Sequence, residues 1–170
     1  QPIQATRIQK VAETIRDDAL TISQSRLTPA LQGLDLKRLL RRPDFVDNLK
    51  YGLASGVANV LATNDSRVAA VYTYEPSTNP DSELGNDLPI DPTVHMLMVI
   101  QSLSPALEAL ITSLDRALTN SLKDWPSPCF AERSSILDVN ILTEKDVQLG
   151  RGYAVLLSSM YAPPLKIWQR

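Results

Sequence analysis

Two seven-residue apolar runs, Val68 to Tyr74 and Val94 to Ile100, flank nineteen residues, Glu75 to Thr93, that neither run can absorb. That stretch holds four prolines and five carboxylates. Proline lacks the amide hydrogen that a strand ladder needs, and the like charges repel. A tight hairpin is therefore excluded, and the runs are expected to be strands joined by a long loop. In a compact domain a connection of this length is usually functional or partly mobile. Alternation along the first strand puts Val68, Ala70, Tyr72 and Tyr74 on one face and Ala69, Val71 and Thr73 on the other. The second is apolar on both faces except at His95, which predicts an interior place in a sheet with helices on both sides.

Helical spacing dominates the rest of the chain. Ile8, Val11, Ile15, Ala19 and Ile22 predict a buried stripe on a helix from about Thr6 to Ser25, docked along the domain or paired with another chain. A short helix over about Asp35 to Arg41 is ended by Pro43. The next is expected to start at Asp44, with Asp44 as cap and Asp47 in the first turn, and to bury Phe45, Leu49, Leu53, Val57, Val60 and Leu61. Gly52 and Gly56 lie on its adjacent turns. Glycine weakens a helix, so the pair predicts close approach of another element, either the sheet or a partner helix.

Ser104-Pro105 opens a further helix with its stripe at Leu107, Leu110, Ile111, Leu114, Leu118 and Leu122, ended by Trp125-Pro126-Ser127-Pro128. After a connector, Ile136 to Leu142 reads as a third strand, with Leu137, Val139 and Ile141 inward and Asp138 and Asn140 on a polar face. Thr143, with Asp146 three residues on, caps a helix that loosens near Gly150-Arg151-Gly152 and resumes from Tyr153 to Met160. Ile167 and Trp168 are expected to tuck against the sheet.

Composition narrows the chemistry. A single cysteine, Cys129, excludes an internal disulfide framework and any multi-cysteine zinc site, and a single histidine, His95, excludes His-rich metal clusters. Cys129 reads as a small buried hydrophobe, and a Cys/His nucleophilic pair would have to be Cys129 with His95. No apolar run approaches the roughly 20 residues needed to span a bilayer, and Gln1 to Lys10 does not read as a signal peptide, so a soluble cytoplasmic protein without a membrane partner is expected.

Charge is uneven along the chain. Residues 1–50 carry nine Lys or Arg against six acids, and residues 51–101 carry one against six. Lys37, Arg38, Arg41 and Arg42 form the basic cluster that a nucleic-acid-binding surface would use. Leu36, Leu39 and Leu40 interleave with them at helical spacing, as on a solvated helix face, and no aromatic stacking platform accompanies the patch.

Two groups of residues could carry chemistry. Asp81, Glu83, Asp87 and Asp91 are hard-oxygen ligands for calcium or magnesium, although their spacing matches no EF-hand and fits a solvated acidic loop better. His95 and Asp138 would form an acid/base pair if the second and third strands are neighbours, with Tyr72 or Tyr74 close by. No phosphate-binding glycine loop, Ser/His/Asp order or H-E-x-x-H motif is present.

The order of elements from Arg67 to Trp168, and the segment Leu137-Asp138-Val139-Asn140-Ile141-Leu142-Thr143-Glu144-Lys145-Asp146-Val147, resemble the core of small nucleotidyltransferase domains of the polymerase-beta type. The resemblance implies a third metal-binding carboxylate at Asp138 and a two-metal reaction that needs carboxylates at alternate positions of one strand face. The Gly-Ser turn of that family is replaced here by Glu75-Pro76. The place of its Asp-x-Asp pair is held by Thr93-Val94-His95-Met96, with only Asp91 nearby. The resemblance therefore implies an inactive relative.

The fold expected is α/β (α+β), a mixed sheet of at least three strands flanked by helices, in a single domain of residues 1–170 with a helical extension over 1–43 and an α/β core over 44–170. The function expected is that of a non-catalytic interaction or assembly protein with no cofactor, partnered by another protein or by itself. A metal-dependent nucleotidyltransferase with displaced carboxylates is the competing expectation, with Asp138, His95 and Asp91 catalytic and Mg2+ held by Asp91 and Asp138. Nucleic-acid binding through Lys37, Arg38, Arg41 and Arg42 is the third.

Overall fold

The structure is a computed structural model that describes residues 5–76, 90–159 and 163–170. In chain order it forms α1 (Ala5–Ser25), α2 (Leu36–Leu39), α3 (Pro43–Asn64), β1 (Val68–Tyr74), β2 (Val94–Ile100), α4 (Pro105–Ser121), α5 (Pro128–Ala131), β3 (Leu137–Thr143), α6 (Glu144–Leu149), a 3-10 segment (Gly152–Ser158) and β4 (Leu165–Gln169). The four strands make one mixed sheet in the order β3-β2-β1-β4. β1 pairs antiparallel with β2 and β4, and β2 runs parallel to β3. The architecture is α+β, with helices flanking the sheet and an N-terminal helical portion.

One face of the sheet carries the main core. Val94, Met96, Met98 and Ile100 of β2 enter it with Val68 and Val71 of β1 and Leu137 of β3, against residues of α1, α3 and α4. On the opposite face Leu97 and Val99 are also buried, and α6 and the 3-10 segment pack against the strands there. β2 is thus the interior strand that its double-sided apolar pattern predicts. Along β1 the pairing shifts between Val68 and Ala70, an irregularity that sends Val68 and Val71 to the same core although simple alternation puts them on opposite faces.

Local chemistry accounts for several boundaries. The Ser104 hydroxyl accepts from the Leu107 amide, with Pro105 at the first helical position of α4. Thr143 and Asp146 form a complete reciprocal capping box, and Gly150 closes α6 in the left-handed conformation at φ 63°. Pro43 opens α3 instead of ending the helix before it, because a proline at the first position gives up an amide that has no partner there. Arg42 takes the cap position, and Asp44 falls in the first turn. Ile167 and Trp168 belong to a fourth strand, and the connector after α4 contains α5.

The expected N-terminal extension lies within the core. α1 packs on α3 and α4 and buries Ile8, Ala12, Ile15 and Ala19. Its buried side is turned toward Ala12 and Ser23, so Ile22 is 47% exposed where the spacing placed it inward. The Arg16 guanidinium donates to the Ser121 carbonyl at the end of α4 over 2.9 Å, where the helix dipole favours a cation. The close approach predicted from Gly52 and Gly56 is made by α1. A Cβ at Gly52 would lie 3.0 Å from Ala19 Cβ and 3.1 Å from Ala19 Cα, and one at Gly56 would lie 2.8 Å from Ile15 Cγ2.

On an open helix surface Gly→Ala gains up to about 1 kcal/mol. At these positions the added methyl meets backbone or a β-branched side chain, and such overpacking costs about 1–3 kcal/mol. Gly52→Ala and Gly56→Ala are each expected to unfold at lower urea concentration than the parent. A higher midpoint for either would show that α1 yields freely.

Candidate functional site

The polar groups of the sheet gather where β1 ends and β2 and β3 begin. The parallel register sets His95 directly beside Asp138, and the His95 Nδ1–H donates to Asp138 Oδ2 over 2.8 Å. A carboxylate accepts only, so this contact requires the proton on Nδ1. The other ring nitrogen, Nε2, is buried without a hydrogen-bond partner, with Asp91 Oδ2 4.0 Å away. All three residues expected to be catalytic, Asp91, His95 and Asp138, are brought together.

Tyr74 on β1 flanks the histidine, with ring centroids 5.5 Å apart, and its hydroxyl accepts from Asn140 Nδ2 at 3.3 Å. Burial pushes the Tyr74 phenol up. The charge of Asp138 and the neighbouring Tyr153 act in the same direction, against the Asn140 hydrogen bond. Tyr74, His95, Asp138 and Asn140 thus form one polar row across three strands.

Asp91 is tied down on its own side. Its Oδ1 accepts from the Thr93 amide at 2.9 Å and from Arg133 Nη2 at 2.7 Å, and the same guanidinium donates to the Thr93 hydroxyl at 2.7 Å. Partial burial pushes the Asp91 carboxyl up. The Thr93 hydrogen bonds and the charges of Arg133 and Lys50 outweigh it and hold the group below its ordinary value.

Lys50 reaches this end of the sheet from α3. Only 6% of its side chain is exposed, and Nζ lies 2.9 Å from Glu75 Oε1 and donates to the Asp91 carbonyl over 3.1 Å. One ammonium therefore joins the residue after β1 to the approach to β2. Asp47, one turn earlier on α3, is pushed up by burial and then by the Glu75 charge, with Lys50 opposing.

The entry to β3 is held by Asp115 of α4. Its Oδ1 accepts from the amides of Ile136 and Leu137 at 2.9 and 3.0 Å, and its Oδ2 accepts from the Ser135 hydroxyl at 2.6 Å. These bonds set where β3 begins and so where Asp138 stands.

An imidazole oriented by a carboxylate is the arrangement a general base uses. Here the free nitrogen is closed off from solvent and turned toward a second carboxylate. Asp138 faces a histidine and Asp91 faces a guanidinium. Among the described residues no three His, Cys, Asp or Glu side chains are placed to hold a metal ion. Of the acidic loop, Asp81, Glu83 and Asp87 lie outside the described residues. Cys129 is half-buried against the edge of the core and shares a shallow cleft of about 420 Å³ with Asp91 and Arg133.

The basic cluster has a different setting. Lys37, Arg38 and Arg41 are exposed and Arg42 is half-buried, with its Nε 3.5 Å from Asp44. Leu39 and Leu40 between them are buried. Lys37 and Arg38 lie on α2, and Arg41 and Arg42 follow its C-terminal cap, Leu40.

Sequence reasoning did not single out Lys50, Arg133 or Asp115. Lys50 had a signal, since it lies four residues after Val46 and four before Ala54 on the buried side of α3. A cation in an apolar stripe needs an anionic partner elsewhere. Arg133 follows α5 in a connector and carries no pattern of its own.

Comparison with protein-family models, with curated proteins and with solved structures finds no match to this chain.

Two carboxylates titrate with opposite consequences. Asp91 is held below its unfolded value, so its contribution is present at neutral pH and is lost as pH falls through the folded value. Arg133→Gln is expected to lower the urea midpoint at neutral pH, with the difference from the parent closing in acid. Asp47 is raised, so its ionised form is unfavourable when folded. Asp47→Asn is expected to raise the midpoint at neutral pH, and the gain should fade as pH falls from the folded value to the unfolded one. Equal pH profiles for parent and variants would contradict both assignments.

Proposed function

We propose that this chain is a non-catalytic interaction or assembly protein on a nucleotidyltransferase-like scaffold, acting in the cytoplasm and partnered by protein. The observation that carries this reading is the pairing of the sheet-end carboxylates with the protein's own groups: Asp138 with His95, Asp91 with Arg133 and Thr93, and Glu75 with Lys50. A two-metal phosphoryl-transfer site needs carboxylates converging on a place that ions can fill. Among the described residues, the side chains beside these carboxylates are basic or hydrogen-bonding ones. Among the described residues, no helix is long and apolar enough to cross a membrane.

A second reading rests on the 2.8 Å contact between His95 and Asp138. An imidazole held by a carboxylate could serve acid/base chemistry in a nucleotidyltransferase with displaced carboxylates, using Asp91, His95 and Asp138 with Mg2+. Titration calorimetry with Mg2+ and each nucleoside triphosphate separates the two. No saturable heat is expected on the interaction reading, and a saturable heat abolished by Asp138→Asn would replace it with the catalytic one.

A further inference from the structure

The close approach of α1 and α3 leaves a groove along their solvent side of about 610 Å³. Its floor includes Ile15, Ala19 and Val60, and the two exposed apolar side chains Ile22 (47% exposed) and Tyr51 (38%) stand in its wall. Its charged lining is lopsided. Arg7, Lys10 and Arg26 face Asp18 alone, although the whole chain has a net charge of −2. From Arg7 to Arg26 the groove follows α1 for roughly 28 Å, the length of about five helical turns.

A trough between two helices, apolar along its bottom and cationic along its rim, has the form that receives an amphipathic helix with anchors at i, i+3, i+4 and i+7. We propose that this groove binds an acidic amphipathic helix of a partner protein, with apolar anchors against Ile22 and Tyr51 and flanking Glu or Asp side chains against Arg7, Lys10 and Arg26. A flat bilayer does not fill a trough. A second copy docked symmetrically, groove to groove, would present the same cationic rim to this one, and like charges across an interface oppose association. The proposal rests on the interaction reading above and gives it a surface and a partner chemistry.

The test uses the full chain and two synthetic helical peptides that share one leucine stripe, one flanked by glutamates and the other by lysines, read by fluorescence anisotropy. The acidic peptide is expected to bind saturably and at least about tenfold more tightly than the basic one, and to lose at least about tenfold in affinity with Ile22→Asp. Ile22 is exposed, so an unchanged circular dichroism melt of that variant confirms that the fold is kept. Lys10→Glu leaves two cations against two carboxylates in the lining and should abolish the preference between the peptides. Absence of binding, equal binding of both peptides, or binding that survives Ile22→Asp would overturn the proposal. So would preferential binding to phosphatidylserine vesicles, or a homodimer that Ile22→Asp dissociates. If the peptides fail and calorimetry with nucleoside triphosphates stays silent, only this surface is lost. Saturable nucleotide heat removes the interaction reading itself.

Discussion

A lysine ammonium buried in a protein interior must find anionic or carbonyl partners, because the unpaired charge costs several kcal/mol. Lys50 meets that demand with the Glu75 carboxylate and the Asp91 carbonyl. Those partners are the residue that follows β1 and a residue that precedes β2. The ion pair therefore sets how the chain leaves one central strand and approaches the next. With its backbone so placed, Asp91 turns its carboxylate between Thr93 and Arg133, 4.0 Å from the histidine. Removing the ammonium would release both stems of the connection and the carboxylate that depends on them.

The helical layer supplies the rest of the site's geometry. Gly52 and Gly56 let α1 lie against α3, which brings α1 to α4 as well. α4 carries Asp115, and Asp115 fixes the first residues of β3. Asp138 is thus positioned from the helical side, while its partner His95 is positioned by the interior strand. The same helix approach that closes the core opens the cationic groove on its outer side, so one packing decision shapes both surfaces.

Much of this was legible in the sequence where a pattern has one physical cause. β1 and β2 have the bounds that the apolar runs suggest, the Ser104 and Thr143 caps form as their spacing requires, and the glycine pair marks a close approach. His95 and Asp138 could be nominated from their strand faces, but their contact depended on strand order, which a single sequence does not encode locally. Ile22 and Ala12 both fit a helical stripe, and the choice between them was made by two neighbouring helices at once. The β1 irregularity and the fourth strand likewise depended on elements distant in the chain. Lys50 was hidden because a charge among apolar residues looks like the edge of a stripe until its partner is known.

Asp138 pairs with His95, and Asp91 with Arg133 and Thr93, so neither carboxylate is expected to hold a metal ion. His95 is the single histidine of the chain, so its imidazole resonances need no assignment by mutation. Proton and nitrogen NMR during a titration with Mn2+ reads the claim directly, since a paramagnetic ion held by either carboxylate would lie beside the ring. The His95 resonances should persist, with the Nδ1-protonated tautomer unchanged, as Mn2+ reaches and exceeds the protein concentration. Selective broadening of those resonances at substoichiometric Mn2+ would place a metal between the carboxylates and contradict the account.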